Sequence, residues 1–139
     1  MIVYLDTSTL LRVLFGQSPI LAGWGEWERA YASELAGVEA RRVIDRLRLE
    51  SALDDAGVVA AQEQLARIEA SIGRIRLSQV VLKRASLPMA TAVKTLDALH
   101  LASALLLQER RGVTLTFATH DVQQATAARA LGFACIGTT

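Results

Sequence analysis

Asp6, Glu39, Asp97 and Asp121 are the side chains whose types and places offer this chain a chemistry. Asp97 is the most anomalous of them. It lies in residues 96–107, a stretch that is apolar on nearly every side once wound as a helix, with His100 one turn on and Leu101 and Ala104 continuing its row. An ionised carboxylate left unpaired in such surroundings is costly. Glu39 interrupts a second apolar stripe, that of Leu35, Val38 and Val43 on one side of a predicted helix. Arg42, three residues on, offers the plainer alternative of an ion pair worth about a few tenths of a kcal/mol. Asp6 follows a predicted first strand and Asp121 follows a strand that ends at Ala118, so both face one edge of a sheet. Each is also a residue type that caps helix N-termini.

Several carboxylates directed at one place repel one another, and a metal ion is the usual reason for gathering them. An all-oxygen set selects a hard cation, Mg2+ or Mn2+, which keeps several waters. Such an ion lowers the pKa of bound water, orients a phosphodiester and neutralises the leaving oxygen, so hydrolysis of a phosphate ester is the expected reaction. His100 and His120 lack the paired spacing and cysteine neighbours of a zinc site, and His100 reads as a hydrogen-bonded core residue. Neither a Gly-rich phosphate loop ending in Lys and Ser or Thr nor a Gly-x-Ser-x-Gly elbow occurs.

The elements that must position these acids alternate. Strands are expected at residues 1–5, 30–32, 75–77, 115–118 and 133–136. Helices are expected after Asp6, at residues 33–50 capped by Ser33, at 53–72 with Val58, Val59, Ala61, Leu65 and Ile68 mostly on one face, briefly from Val80, and at 91–111 and 121–131. Trp24 and Trp27 fall on a predicted short helical turn, and the chain breaks at Leu87-Pro88. This alternation predicts a three-layer α/β/α domain with a mainly parallel central sheet, in which ligands bind outside the carboxyl ends of the strands.

With 139 residues, 52% of them hydrophobic, the chain is expected to form one domain over residues 1–139. No stretch supplies the ~20 apolar residues of a membrane span. The start, without a basic leader or an apolar signal core, sets a cytoplasmic location as the expectation. Cys135 is the lone cysteine, which excludes an internal disulfide and reads as a small core residue. The net charge of +1 excludes a global basic field. Arg41, Arg42, Arg46 and Arg48, then Arg74, Arg76, Lys83 and Arg84, could touch phosphates, although solvated helix faces with acidic partners explain them as well.

Four blocks together resemble the PIN-domain ribonucleases, in particular the VapC toxins of toxin–antitoxin pairs. They are Tyr4-Leu5-Asp6-Thr7-Ser8, then Ser33-Glu34-Leu35 leading to Val38-Glu39 and Arg42, then Thr95-Leu96-Asp97-Ala98-Leu99-His100-Leu101-Ala102, and Phe117-Ala118-Thr119-His120-Asp121 with Ala128 and Leu131-Gly132-Phe133 behind it. The resemblance spans nearly the whole chain. It implies that Asp6, Glu39, Asp97 and Asp121 form an acidic quartet that is catalytic and holds Mg2+ or Mn2+, with Asp6 and Asp97 the surest ligands. It places Ser8 and Thr119 near the site, where a hydroxyl can hold a carboxylate or a metal-bound water. His120 stands where the family often carries tyrosine, and Glu34 competes with Glu39 for the second acid. The implied activity is hydrolysis of RNA phosphodiesters by a metal-bound water. The implied partners are RNA, a VapB-type antitoxin that carries the contact with operator DNA, and a second copy in a homodimer; Trp24, Trp27, Leu53 and Val59 are candidate partner surface, with ordinary core packing the alternative for at least half of them.

Two other readings share these features. A PIN-like domain could bind RNA or a partner without turnover. A magnesium-binding receiver domain would need adjacent acids after the first strand and an aspartate at a middle strand end, whereas Asp6 is followed by Thr7-Ser8 and Asp97 falls in a predicted helix.

Overall fold

The computed structural model describes residues 1–138. Among them the chain runs β1 (Ile2–Leu5), α1 (Thr7–Leu14), β2 (Arg29–Ser33), α2 (Glu34–Leu49), α3 (Asp55–Ser71), β3 (Gly73–Ile75), α4 (Gln79–Ala85), α5 (Thr95–Arg111), β4 (Leu115–Ala118), α6 (Val122–Ala130) and β5 (Ala134–Ile136). The five strands form one sheet in the order β3-β2-β1-β4-β5, and every pairing is parallel.

A parallel sheet needs cover on both faces, and the alternation of side chains along β1 provides for it. Tyr4 points to one face, where it stacks on Phe117 of β4 with ring centroids 5.1 Å apart and packs beneath Leu101, Ala104 and Leu105 of α5 and Ala127 and Ala128 of α6. Val3 and Leu5 point to the other, against Leu10 of α1 and Ala36 of α2. A third cluster, with Leu14, Ala40, Ile44, Ala61 and Leu65, joins α1, α2 and α3. The result is the three-layer α/β/α arrangement. Helix starts follow their caps: Ser33, Asp54, Ser78 and Asp121 each accept a backbone N–H of the first turn.

From β1 the chain moves outward to β2 and β3, then returns through α5 to β4 on the other side of β1. The carboxyl ends of β1 and β4 therefore flank the switch point, where such sheets open a crevice for ligands. Asp6 follows the first of these ends and Thr119 the second.

Several expected boundaries shift for identifiable reasons. α5 begins at Thr95, not near residue 91, because Met89 and Val93 pack on the α5–α6 core from an irregular segment. β3 occupies residues 73–75, not 75–77: the Tyr31 ring lies over Gly73, where a Cβ would approach Cδ1 of Tyr31 to 2.5 Å, and Leu77 gives its N–H to Glu34 instead. Trp24 and Trp27 are in turns, not a helical segment, and meet edge to face at 5.0 Å while packing on the Val3–Leu5 side. The inner face of α2 is Leu35, Ala36, Gly37, Ala40 and Ile44, whereas Val38, expected in the apolar stripe, is 58% exposed. Val59 likewise turns outward from α3. No helix among the described residues is long and apolar enough to cross a membrane.

Candidate active site

Asp6 is buried at the end of β1, and its N–H donates to the Ala118 carbonyl at 2.9 Å, which ties the ends of β1 and β4 together. Although it occupies the N-cap position of α1, its carboxylate accepts no backbone N–H there. Oδ2 accepts instead from Thr119 Oγ1 at 2.7 Å and Ser8 Oγ at 3.0 Å. Ser8 Oγ accepts in turn from the His120 N–H at 2.9 Å, and Thr119 Oγ1 from the Asp121 N–H at 3.0 Å. Two hydroxyls thus fix one carboxylate oxygen of Asp6 and relay its position to the loop that carries Asp121. Oδ1 has His100 Nε2 at 3.7 Å.

Glu39 is reached from α5. His100 is buried, and its Nε2 lies 2.6 Å from Glu39 Oε1, while its Nδ1 lies 2.7 Å from the Tyr4 hydroxyl. Thr7 Oγ1 also donates to Glu39 Oε1 at 2.7 Å. Because a carboxylate only accepts, Nε2 carries a proton. Burial works against charge on both partners. It is outweighed in Glu39, which is held below the usual carboxylate range by its bond to His100, that ring's charge and the Thr7 hydroxyl. It is outweighed in His100 too, whose pKa is raised by the Glu39 bond and by the charges of Asp6, Glu39 and Asp97. The two directions agree and describe one charge-assisted bond. Arg42, the alternative partner for Glu39, pairs instead with Asp45 at 3.4 Å.

Asp97 lies in the first turn of α5, and its carboxylate has no hydrogen-bond partner among the described residues. Its pKa is raised, first by burial and then by the charges of Asp6 and Asp121, against the opposing charge of His100, with a smaller contribution from Glu39. Asp121 is exposed at the rim and caps α6, accepting the Gln124 N–H at 3.0 Å. Gln124 also reaches the Asp97 carbonyl with its side-chain amide at 3.2 Å.

The four acids therefore lie near enough to influence one another's charge, without touching alike. Asp6, Ser8 and Thr119 are directly bonded; Glu39 joins through His100; Asp97 and Asp121 are linked by charge and by Gln124. Among the described residues no group of three or more His, Cys, Asp and Glu side chains stands ready-made to hold a metal. The donor chemistry nonetheless fits a hard cation, since the acceptors are carboxylate oxygens and Asp97 is an unbonded carboxylate destabilised by three others. Glu34 lies apart, accepting the Leu77 N–H.

Most arginines singled out in the sequence are engaged elsewhere: Arg41 and Arg74 with Glu69, Arg48 with Asp45, Arg46 with Glu50, and Arg84 with Glu109. A cleft of about 510 Å³ is lined by residues such as Leu82, Leu87, Met89, Val93 and Leu99, and none of the four acids lines it. Its lining holds no acid, base or cationic side chain for hydrolysis, so the carboxyl ends of β1 and β4 are the candidate site. The receiver arrangement does not occur: Asp97 is in α5, not at a strand end.

Sequence reasoning missed the part played by Thr7, Tyr4 and Gln124. A signal existed for His100, one turn from Asp97 on the same helix row. None existed for Gln124 short of knowing that α6 turns it inward.

The fold is PIN-like. It is similar to a toxin–antitoxin complex from Klebsiella pneumoniae, with a TM-score of 0.65 at 17% identity over 92% of this chain and 93% of that one. It is also similar to VapBC2 from Rickettsia felis bound to a DNA fragment from their promoter, with a TM-score of 0.62 at 12% identity over 97% of each chain. No family model and no curated protein matches the sequence.

Proposed function

We propose that this protein is a Mg2+- or Mn2+-dependent endoribonuclease that acts as the toxin of a toxin–antitoxin pair in the cytoplasm. The observation that carries the proposal is Asp97, an unbonded carboxylate at the switch point whose ionisation is opposed by Asp6, Asp121 and Glu39. A bound cation would offset that repulsion and keep Asp97 ionised at neutral pH. The shared fold with toxin–antitoxin structures supports the biological setting.

On this reading Asp6 and Asp97 are the principal ligands. Ser8 and Thr119 hold Asp6 Oδ2 so that Oδ1 keeps a fixed aim into the crevice. Asp121, exposed at the rim, aligns the attacking water and accepts its proton. Glu39 has one oxygen committed to Thr7 and His100, which leaves Oε2 to face the site. The cation supplies Lewis acidity and charge neutralisation at the phosphodiester. A VapB-type antitoxin covers the carboxylate edge and carries the DNA contact, and two copies of the chain form a homodimer.

Binding of RNA without turnover is the second reading, favoured by the absence of a ready-made three-ligand cage among the described residues. One experiment separates the two. Protein freed of antitoxin is incubated with total RNA and Mn2+ or Mg2+, beside Asp6→Asn and Asp97→Asn. Cleavage by the wild type that both variants lose supports the enzyme; RNA retention without cleavage supports the second reading; cleavage undiminished in both variants refutes the site.

A further inference from the structure

We propose that Gln124 is the positioning residue that sets the separation of Asp97 and Asp121; the inference rests on the metal reading above. Gln124 is fully buried in α6. Its backbone N–H donates to Asp121 Oδ1 at 3.0 Å, and its side-chain Nε2 donates to the Asp97 carbonyl at 3.2 Å. One residue thereby grips both the first turn of α5 and the cap of α6. The two acids it joins come from elements that the sheet does not link directly.

The fold does not require a glutamine here. The other buried residues of α6 are Ala125, Ala127 and Ala128, so the helix packs by small apolar contacts. Gln124 Oε1 is buried with no hydrogen-bond partner among the described residues. A buried acceptor left unpaired costs stability, and an apolar residue of similar length would avoid that cost. The Asp97 carbonyl also lies within the backbone ladder of α5, so it does not depend on Gln124 for a partner. What the amide adds is a fixed distance between two acids that repel each other.

The test is Gln124→Met, which keeps side-chain length and the capping backbone N–H but removes the amide. Mn2+ affinity is measured by calorimetry on folded protein, with thermal melting in EDTA as a second readout. Leu65→Ala serves as a control, a core truncation in the α1–α2–α3 cluster that lowers the Tm far from the crevice. We expect Gln124→Met to melt at or above the wild-type temperature while binding Mn2+ about tenfold more weakly, the size usual for a lost supporting contact. The control should melt lower with unchanged affinity. Affinity equal to wild type in Gln124→Met overturns the inference and leaves the metal reading standing. A wild type that binds no Mn2+ overturns both.

Discussion

Nε2 of His100 lies 2.6 Å from Oε1 of Glu39, so the second acid of the crevice is held by a buried imidazole and not by the arginine one turn along its own helix. The ring is held from behind by the Tyr4 hydroxyl at 2.7 Å. A chain of contacts thus runs from the centre of the sheet to the rim of the site.

Tyr4→Phe removes the hydroxyl and leaves His100 Nδ1 buried without its partner. The expected loss is about 1–3 kcal/mol, which for a domain of this size lowers the Tm by roughly 3–9 °C. Differential scanning calorimetry reads it directly. An unchanged Tm would mean that the hydroxyl contributes nothing to holding the ring.

The His100–Glu39 pair gives stability a pH signature. His100 is raised in the folded state, so its contribution is complete below the unfolded histidine value of about 6.5 and is lost as pH rises through the higher folded value. Glu39 is lowered, so its contribution is complete above the unfolded value of about 4.3 and is lost as pH falls through the folded one. Urea unfolding in EDTA should therefore show the pair's greatest contribution at pH between about 4.3 and 6.5. In His100→Gln that maximum should flatten.

Asp97→Asn should separate stability from activity. The raised pKa of Asp97 means that its ionised form opposes folding at neutral pH when no cation is bound. Replacing it should raise the Tm in EDTA by about 2–4 °C, since solvent at this half-exposed group limits the gain to no more than about 1 kcal/mol. The difference should vanish below about pH 4, where the unfolded carboxyl is also protonated. Added Mg2+ should stabilise the wild type and not the variant.

Gly137→Ala should damage the site from a distance. Gly137 has a φ of +104°, and a Cβ there would run into the Thr119 carbonyl. Displacing Thr119 loosens its bond to Asp6. The expected result is a lower Tm together with weaker Mn2+ binding, checked by melting and calorimetry on the same sample.

The alternation of strands and helices was legible because it is written in local periodicity and caps: Ser33 sits where its helix begins. The parallel sheet was expected, but its strand order β3-β2-β1-β4-β5 was not legible, since strand neighbours are chosen by packing between distant segments. At the site, Asp97 stood out as a carboxylate in an apolar helix; the structure puts it, half-exposed, in the first turn of α5, where the charges of Asp6 and Asp121 bear on it. Glu39 was singled out on a stripe that includes the exposed Val38; its actual partners, His100 and Thr7, are 61 and 32 residues away in sequence. Contacts of that separation leave no trace in spacing. The shift of α5 to Thr95 has the same origin, because burial of Met89 and Val93 overrides local helical preference.

The convergence of the acids on one cation is tested most directly by Mn2+-induced paramagnetic broadening of backbone amide resonances. Substoichiometric Mn2+ should first erase the amides of Asp6, Thr7, Asp97, Thr119 and Asp121, and Asp97→Asn should abolish that pattern. Broadening centred elsewhere, or an unchanged pattern in Asp97→Asn, would contradict a metal site at the junction of β1 and β4.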